Sequence, residues 1–284
     1  MEAFMNENRW ANPNSFSLVL RCTKMQYARS FLKDGQIKFS TPESWVKYEE
    51  EYGDGRGDRL EGTMATFNIW DIENSLLILK KYSHYTDLFS VPIGNRIYLK
   101  RKRDMQLPCF CLYYLKNSMF PCPEKTGIQE LKTSIPYSYF RDFADNLSPE
   151  EVKKLPENEK PVIIVIENYP EFKQRLTRKL LEIGLHKDEI IEAAVRYYDF
   201  NKYGEFGYWD SCRNSPMELA IKNIRFQNQS EGRFIINTDN QHILQLLSSP
   251  IEIGPLDDIC IVCDRYLHDG MDIVAKANIE QANK

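Results

Sequence analysis

The chain has 284 residues, 42% hydrophobic and 27% charged, a composition typical of a globular protein that buries a substantial core. Its net charge of −4 argues against binding nucleic acid through bulk positive charge, although a local basic site is compatible with it. Neither a signal peptide nor an apolar run long enough to span a membrane is evident, so a secreted or membrane-spanning protein is not expected. We therefore predict a cytoplasmic protein with no membrane partner, folded as a single α+β domain over residues 1–284.

The seven cysteines indicate reduced thiols, since an odd number in a chain of this length does not suit a disulfide framework. Two pairs, Cys109 with Cys111 and Cys260 with Cys263, lie inside apolar, strand-like runs. The four histidines have no metal-ligand spacing. We expect core thiols and no metal site.

The chain begins with a polar stretch, residues 1–15, that we expect to be a loose lead-in. Residues 16–22 then alternate like a strand and place Arg21 near its end, pointing away from the more apolar side. A guanidinium there is either a surface charge or a fixed fork for an anion. A short helix is predicted over 24–33, where apolar residues recur at helical spacing.

A second strand is predicted over 37–40, and Pro42 suits the first turn of the helix that follows. Ser40 and Thr41 therefore lie at the junction between this predicted strand and the predicted helix. Their hydroxyls either cap that helix or belong to a site.

The segment 49–63 is an unusual loop that combines four glycines with acidic residues and arginine. Its acidic residues are out of register for a calcium loop. Asp54, Asp58 and Glu61 could instead hold another metal, or the loop could cover a substrate or simply be mobile.

The middle of the chain is predicted to be strand-rich. Residues 64–104 are expected to form strands and a turn, ending in the basic run Lys100–Arg103, which either meets phosphates or is a solvated strand end. Residues 107–115 have the pattern of a buried aromatic strand. Residues 137–144 are expected to be partly helical, and a Ser-capped helix is predicted over 148–160.

The last part of the chain is predicted as alternating strands and helices. In order these are a strand at 162–166, helices at 170–183 and 187–193, a strand at 195–199, a helix at 217–224, strands at 233–236, 251–253 and 259–263, and a polar tail at 276–284.

Gln229 and Glu231 close a polar loop that runs directly into the strand at 233–236. Residues two apart in an extended segment point to the same side, so both side chains can face one cleft. The alternative is a polar turn with both side chains solvated.

Arg21, Ser40-Thr41 and Gln229-x-Glu231 occur in the order of the Arg, Ser-Thr-Ser and Gln-x-Glu pattern of the mono-ADP-ribosyltransferase superfamily, which the chain resembles. Pro42 stands at the third position of the Ser-Thr-Ser pattern. The early part of the chain also resembles small bacterial proteins associated with phage defence and toxin–antitoxin loci. This resemblance implies a split β-sheet core with peripheral helices and a cleft that binds NAD as the substrate, without a glycine-rich dinucleotide motif.

The resemblance also implies catalytic roles. Glu231 would hydrogen-bond a ribose hydroxyl and stabilise the positive charge that builds on the sugar as nicotinamide leaves. Ser40 would orient Glu231, and Gln229 would position the acceptor nucleophile. Arg21, which would act in catalysis as well, would hold a phosphate or ribose of NAD.

Binding of NAD would also involve Ser40, Thr41 and an aromatic side chain that stacks on nicotinamide or adenine. The aromatic candidates are Tyr27, Tyr113, Tyr137 and Tyr198.

The acceptor would be a macromolecule, with RNA or DNA slightly favoured over protein because of the basic residues. The contact candidates are Gln229, Lys100, Arg101, Arg103, Lys222 and Arg225. If the chain is a toxin or anti-phage effector of this kind, an antitoxin or a chaperone is a possible binding partner.

Two other functions compete with this interpretation. Asp54, Asp58 and Glu61, with Asp199, could hold Mg²⁺ in a nuclease or phosphoesterase. A non-catalytic sensor or binding module would use the same polar residues as scaffold only.

Overall fold

The computed structural model describes most of the chain, and the account below covers those residues alone. They are residues 2–5, 16–53, 57–121, 127–135, 139, 147–202, 216–263 and 271–279. Helices and several antiparallel sheets alternate along them, so the α+β prediction is confirmed.

The α-helices are α1 (Met25–Asp34), α2 (Pro42–Tyr52), α3 (Ile72–Tyr82), α4 (Pro149–Lys154), α5 (Tyr169–Glu182) and α6 (Gln241–Leu247). Local chemistry explains their ends. The Thr41 side chain accepts a hydrogen bond from the Ser44 backbone N–H at the start of α2, where Pro42 occupies the first turn. Gly35 ends α1 with φ of 63°, a conformation that favours glycine.

The strands are β1 (Glu2–Met5), β2 (Phe16–Lys24), β3 (Gln36–Ile37), β4 (Ala65–Asn68), β5 (Leu88–Ile93), β6 (Arg96–Arg101), β7 (Cys109–Lys116), β8 (Gly127–Ile135), β9 (Pro161–Ile166), β10 (Ile190–Ala194), β11 (Arg196–Tyr198), β12 (Ile221–Asn223), β13 (Glu231–Ile236), β14 (Ile251–Glu252), β15 (Cys260–Cys263) and β16 (Met271–Ile279).

A six-stranded antiparallel sheet organises the core, in the order β10-β13-β7-β2-β9-β15. Every residue of β9 is buried, which matches its uninterrupted apolar sequence. Alternate residues of β9 pack on opposite faces: Ile164 joins the cluster that contains Phe172 and Leu176 of α5, whereas Ile163 joins the cluster around Tyr113. The sheet is therefore covered on both sides.

The other strands form smaller sheets. β4, β6 and β5 make a three-stranded sheet against which α3 packs through Ile78 and Tyr82. β16 pairs with β8 and with β1, and the pairs β11-β12 and β14-β3 complete the arrangement. β1 lies within residues 1–15, predicted to be a loose lead-in, and β16 extends to Ile279, inside the predicted polar tail.

The central sheet opens between β2 and β7. Their pairing extends as far as Leu20 opposite Tyr113, whereas β2 stays paired with β9 up to Lys24. At Cys109, the other end of β7, the backbone of Ser40 lies beside β7 in place of β2. The two residues exchange two backbone hydrogen bonds, of 2.9 and 2.7 Å. The residues between these two contacts face a gap in the sheet. Arg21, predicted near a strand end, thus lies inside β2 at the point where its neighbour diverges.

Two predicted helices are wrong. The segment 187–193 forms one 3₁₀ turn and then β10, which pairs with β13. The segment 217–224 divides into a 3₁₀ turn, β12 and the start of another 3₁₀ turn, because β12 pairs with β11. Tertiary pairing outweighs local helix propensity in both segments.

Other differences concern helix extent. The predicted helix over 148–160 ends at Lys154 and is followed by a separate 3₁₀ turn, since Pro156 interrupts it. The segment 64–104 contains α3, which the sequence analysis does not predict. Of the segment 137–144, Tyr139 alone is among the described residues.

Candidate functional site

A cavity of about 300 Å³ lies at the gap between β2 and β7. Both charged and aromatic side chains line it, drawn from β2, β7, α2, β12, β13 and the loops between them. They include Arg21, Lys38, Ser40, Trp45, Tyr48, Glu61, Cys111, Tyr113, Tyr139, Lys222, Gln229, Glu231 and Arg233.

The four residues to which the family resemblance gives catalytic roles line this cavity: Arg21, Ser40, Gln229 and Glu231. They come from positions up to 210 residues apart along the chain, the difference between 21 and 231. The structure therefore brings these four side chains together, and their catalytic roles stay a prediction.

Arg21 spans the opened edge of β7. Its Nη1 donates a hydrogen bond to the Cys111 carbonyl at 3.0 Å, and its guanidinium carbon lies 4.3 Å from the centre of the Phe110 ring. Burial lowers the pKa of Arg21, yet a guanidinium stays protonated at neutral pH. Among the described residues no carboxylate pairs with it, so it can hold an anion in the cavity.

Glu231 begins β13 inside a cluster of buried charges. Its Oε1 accepts from Lys222 Nζ at 2.6 Å, and its Oε2 accepts from Arg233 Nε and Nη2 at 2.9 and 2.6 Å. Arg233 also donates to Glu61, and Lys222 Nζ lies 3.9 Å from the other Glu61 oxygen. Two carboxylates and two cations thus balance each other within one buried volume.

The two carboxylates of this cluster differ in proton affinity. Burial would raise the pKa of Glu231, but the charges of Arg233 and Lys222 outweigh that effect and lower its pKa to about 2. For Glu61 burial dominates and the pKa is raised, although the same two cations oppose the shift. Of the two carboxyl groups, Glu231 therefore gives up its proton more readily.

Gln229 and Glu231 face the same side through a tight turn and not through an extended segment, as the sequence analysis assumed. Gln229 ends a 3₁₀ turn, and Ser230 adopts φ of 38°, an unusual conformation for a residue with a side chain. Two hydrogen bonds with the Tyr114 backbone fix Ser230, one from its Oγ at 2.6 Å and one to its carbonyl at 2.8 Å. Lys222 Nζ then bridges Gln229 Oε1, also at 2.6 Å, and Glu231.

Ser40 does not orient Glu231 as predicted. The oxygens of Glu231 accept from Lys222 and Arg233, and the structure contains no hydrogen bond between Glu231 and the Ser40 hydroxyl. Thr41 caps α2, which is the structural alternative considered for it.

Of the aromatic candidates, Tyr113 lines the cavity and packs against Tyr139, with ring centres 4.5 Å apart. Tyr27 lies on α1, 58% exposed and outside the cavity lining, so its predicted contact with NAD is not supported. Tyr198 belongs to β11 and packs in the cluster around α3. Tyr137 lies outside the described residues.

The basic residues expected to contact an acceptor do not form an open basic surface. Lys100 is buried and donates to the Arg59 carbonyl at 2.6 Å, and burial lowers its pKa to about 8. Lys222 is buried in the charge cluster. Arg101 pairs with Asp87 and Asp104, Arg103 pairs with Asp104 and Asp239, and Arg225 lies 3.5 Å from Asp58.

The carboxylates of the alternative metal site serve other contacts. Asp58 accepts from the Leu60 backbone N–H at 2.9 Å, Glu61 pairs with Arg233, and Asp199 accepts from the Asn201 backbone N–H at 3.0 Å. Asp54 lies outside the described residues. Across the parts of the chain that the structure describes, no group of three or more His, Cys, Asp or Glu could hold a metal ion.

Arg233 and Trp45 shape the site but were not predicted, and Glu61, predicted as a candidate metal ligand, has a different role there. Arg233 and Glu61 connect β13 to the glycine-rich loop, and Trp45 packs against Arg233 with its ring centre 4.9 Å from the guanidinium carbon. Arg233 follows Glu231 by two positions in a strand, so its charge on the same face was an available signal. The contacts to Glu61 and Trp45 had none, because they depend on the tertiary fold.

No family model, no curated protein and no solved structure matches the chain. Among the helices of the described residues, none is long and apolar enough to cross a membrane.

Proposed function

We propose that this chain is a mono-ADP-ribosyltransferase that transfers ADP-ribose from NAD to a macromolecular acceptor. The observation that carries the proposal is the convergence of Arg21, Ser40, Gln229 and Glu231 on one cavity. These are the residues that the family resemblance assigns to NAD binding and catalysis.

The charge state of Glu231 suits the chemistry. Cleavage of the bond between nicotinamide and ribose builds positive charge on the sugar, and a carboxylate that is already ionised stabilises this charge as it develops. With a pKa of about 2, Glu231 is an anion throughout the physiological pH range. Each carboxylate oxygen has two lone pairs: Oε2 already accepts two bonds from Arg233, whereas Oε1 accepts one from Lys222, so Oε1 keeps one position for a ribose hydroxyl.

The rest of the cavity suits the other parts of NAD. Because the charges of the buried cluster cancel, Arg21 and Lys38 give the lining its positive character toward a pyrophosphate. Trp45, Tyr48 and Tyr113 offer flat surfaces for nicotinamide or adenine.

Either nucleic acid or protein could be the acceptor. The preference for nucleic acid depended on basic side chains that are buried or paired in the structure. Gln229, fixed beside Glu231 through Lys222, is the side chain that we expect to position the acceptor nucleophile. A toxin or anti-phage effector is the biological role that the resemblance suggests.

The test is to incubate the purified protein with labelled NAD and separate pools of RNA, DNA and cell protein. We expect label in one pool for the wild type and loss of transfer, by at least about a hundredfold, for Glu231→Gln. Glu192→Gln is the matched control, since Glu192 is a part-buried carboxylate bonded to Tyr114 and Tyr169 outside the cavity lining. It should transfer at the wild-type rate.

Three results would change this conclusion. Nicotinamide release without transfer would keep NAD cleavage but replace the transferase with a glycohydrolase. Intact NAD in every pool would favour a binding module. Degradation of nucleic acid that requires Mg²⁺ would favour the nuclease alternative instead.

A further inference from the structure

Helix α3 exposes an apolar face. On this single helix of 11 residues one side packs on the sheet through Ser75, Ile78 and Tyr82, and the other carries large side chains open to solvent. We call the latter, together with Trp70 in the turn that precedes the helix, the α3 outer face; its helical members are Ile72, Glu73, Leu76, Leu77, Leu79 and Lys80.

The apolar side chains of the outer face are largely exposed to solvent. Trp70 is 77% exposed, Ile72 68%, and Leu76 and Leu77 are both 62% exposed. Single exposed apolar residues are normal, but a contiguous set of this kind marks an interaction surface. The face lies on a different sheet from the cavity, so it is independent of the proposed function.

The charges on this face have a symmetrical arrangement. Glu73 and Lys80 are both exposed and lie seven residues apart, about 10 Å along a helix, on the outward side. Leu76 and Leu77 occupy the midpoint between them. Beyond Lys80 the charge stays positive with Lys81, and before Glu73 it stays negative with Asp71.

This arrangement is complementary to itself. If two copies of α3 pack antiparallel about a two-fold axis between Leu76 and Leu77, Glu73 of each copy lies opposite Lys80 of the other. The leucines then meet at the axis, where apolar contact contributes most, and two ion pairs flank them. A parallel arrangement would instead place like charges side by side.

We propose that the α3 outer face binds a second copy of this chain, giving a two-fold symmetric dimer. The apolar centre supplies the affinity, and the Glu73 and Lys80 pairs set the antiparallel orientation. The same charge pattern favours a second copy over an unrelated apolar partner, because two charges of opposite sign on either side of exposed leucines make the face complementary to itself.

The experiment is sedimentation velocity of the full chain over a range of concentrations. We expect a dimer for the wild type and, for Leu76→Asp, a dissociation constant raised at least about tenfold. Leu181→Asp is the matched control, because Leu181 is an exposed helical leucine of α5, 43% exposed, and its change should leave the dimer intact. Circular dichroism confirms that each variant is folded.

A charge exchange tests the orientation. Glu73→Lys and Lys80→Glu each place two like-charged contacts in the dimer, so each variant alone should dissociate at least about tenfold more readily. When the two variants are mixed, both contacts become attractive again, and the mixed dimer should return to near the wild-type dissociation constant. A wild type that stays monomeric, a dimer insensitive to Leu76→Asp, or a mixture no more dimeric than its components would each overturn the proposal.

Discussion

Arg233 holds together the charges beneath the cavity. Its guanidinium is 1% exposed and donates to Glu231, to Glu61 and to the Leu219 carbonyl, the last at 2.6 Å. A planar fork with several donors can satisfy two carboxylates at once, whereas an ammonium group offers only a point charge. Together with Lys222, this side chain therefore holds the Glu231 carboxylate in place.

We expect Arg233→Met to lower the free energy of unfolding by about 3–5 kcal/mol, because it leaves two buried carboxylates with Lys222 as their single cation. The measurement is urea unfolding followed by circular dichroism. Adding Glu61→Gln should recover part of the loss, since it removes one of the uncompensated charges.

Arg175→Met is the control: its partners Glu171 and Asp258 lie at the surface, so it should cost at most about 1 kcal/mol of unfolding free energy. Equal losses at Arg233 and Arg175 would contradict this account of the cluster.

At the scale of elements, Gly232 of β13 leaves room for the ring of Tyr114 on the neighbouring strand β7. A Cβ at position 232 would lie 2.0 Å from the Tyr114 ring. That ring cannot easily move, because it stacks on Phe16 with centres 4.2 Å apart and its hydroxyl bonds to Tyr169 at 2.7 Å. The strand thus requires glycine for the space it leaves to Tyr114.

Gly232→Ala is expected to destabilise the protein by about 1–3 kcal/mol, as overpacking does, although alanine normally suits a strand interior better than glycine. The clash should disappear in the Tyr114→Ala background, so the same change should cost little there. Thermal unfolding of the wild type, both single variants and the double variant measures this coupling. A cost that is equal in both backgrounds would show that the ring is not the obstacle.

Strands with strong apolar character could be predicted from sequence, and β9 and β13 are confirmed. The segments 190–194 and 221–223 could not be, since each becomes a strand by pairing with a partner distant in the sequence. Helix α3 was missed because its exposed apolar residues obscure the amphipathic pattern that predicts a surface helix.

At the scale of the whole molecule, the order of motifs along the chain allowed these side chains to meet without requiring it, and it did not indicate how they are held. Only the tertiary structure shows that Arg21, Ser40, Gln229 and Glu231 line one cavity. Their support from Arg233 and Lys222 depends on ion pairs between residues far apart in sequence, such as Glu61 and Arg233, and no local pattern encodes such pairs. Tyr27 shows the converse, a residue close to Arg21 in sequence that α1 directs to solvent.

The proposed NAD site predicts a change in the stability of the whole molecule. A ligand at one hundred times its dissociation constant stabilises the folded state by about 2.7 kcal/mol, which raises Tm by roughly 5 °C for a chain of this size. We expect this shift with NAD for the wild type and for Glu231→Gln, because that variant removes the charge needed for cleavage and keeps the shape of the cavity. Arg21→Met should lose most of the shift, since Arg21 lines the cavity and can pair with the pyrophosphate.

The control for this measurement is Arg29→Met, which removes an exposed arginine of α1 that bonds to Asn158. It should keep the full shift, because Arg29 is not part of the cavity lining. A shift that Arg21→Met leaves unchanged would place NAD elsewhere on the molecule. No shift for the wild type at millimolar NAD would contradict the proposed substrate. A shift that Arg21→Met abolishes and Glu231→Gln retains would assign binding to β2 and cleavage to β13, the two strands that meet the cavity from opposite sides of the opened sheet.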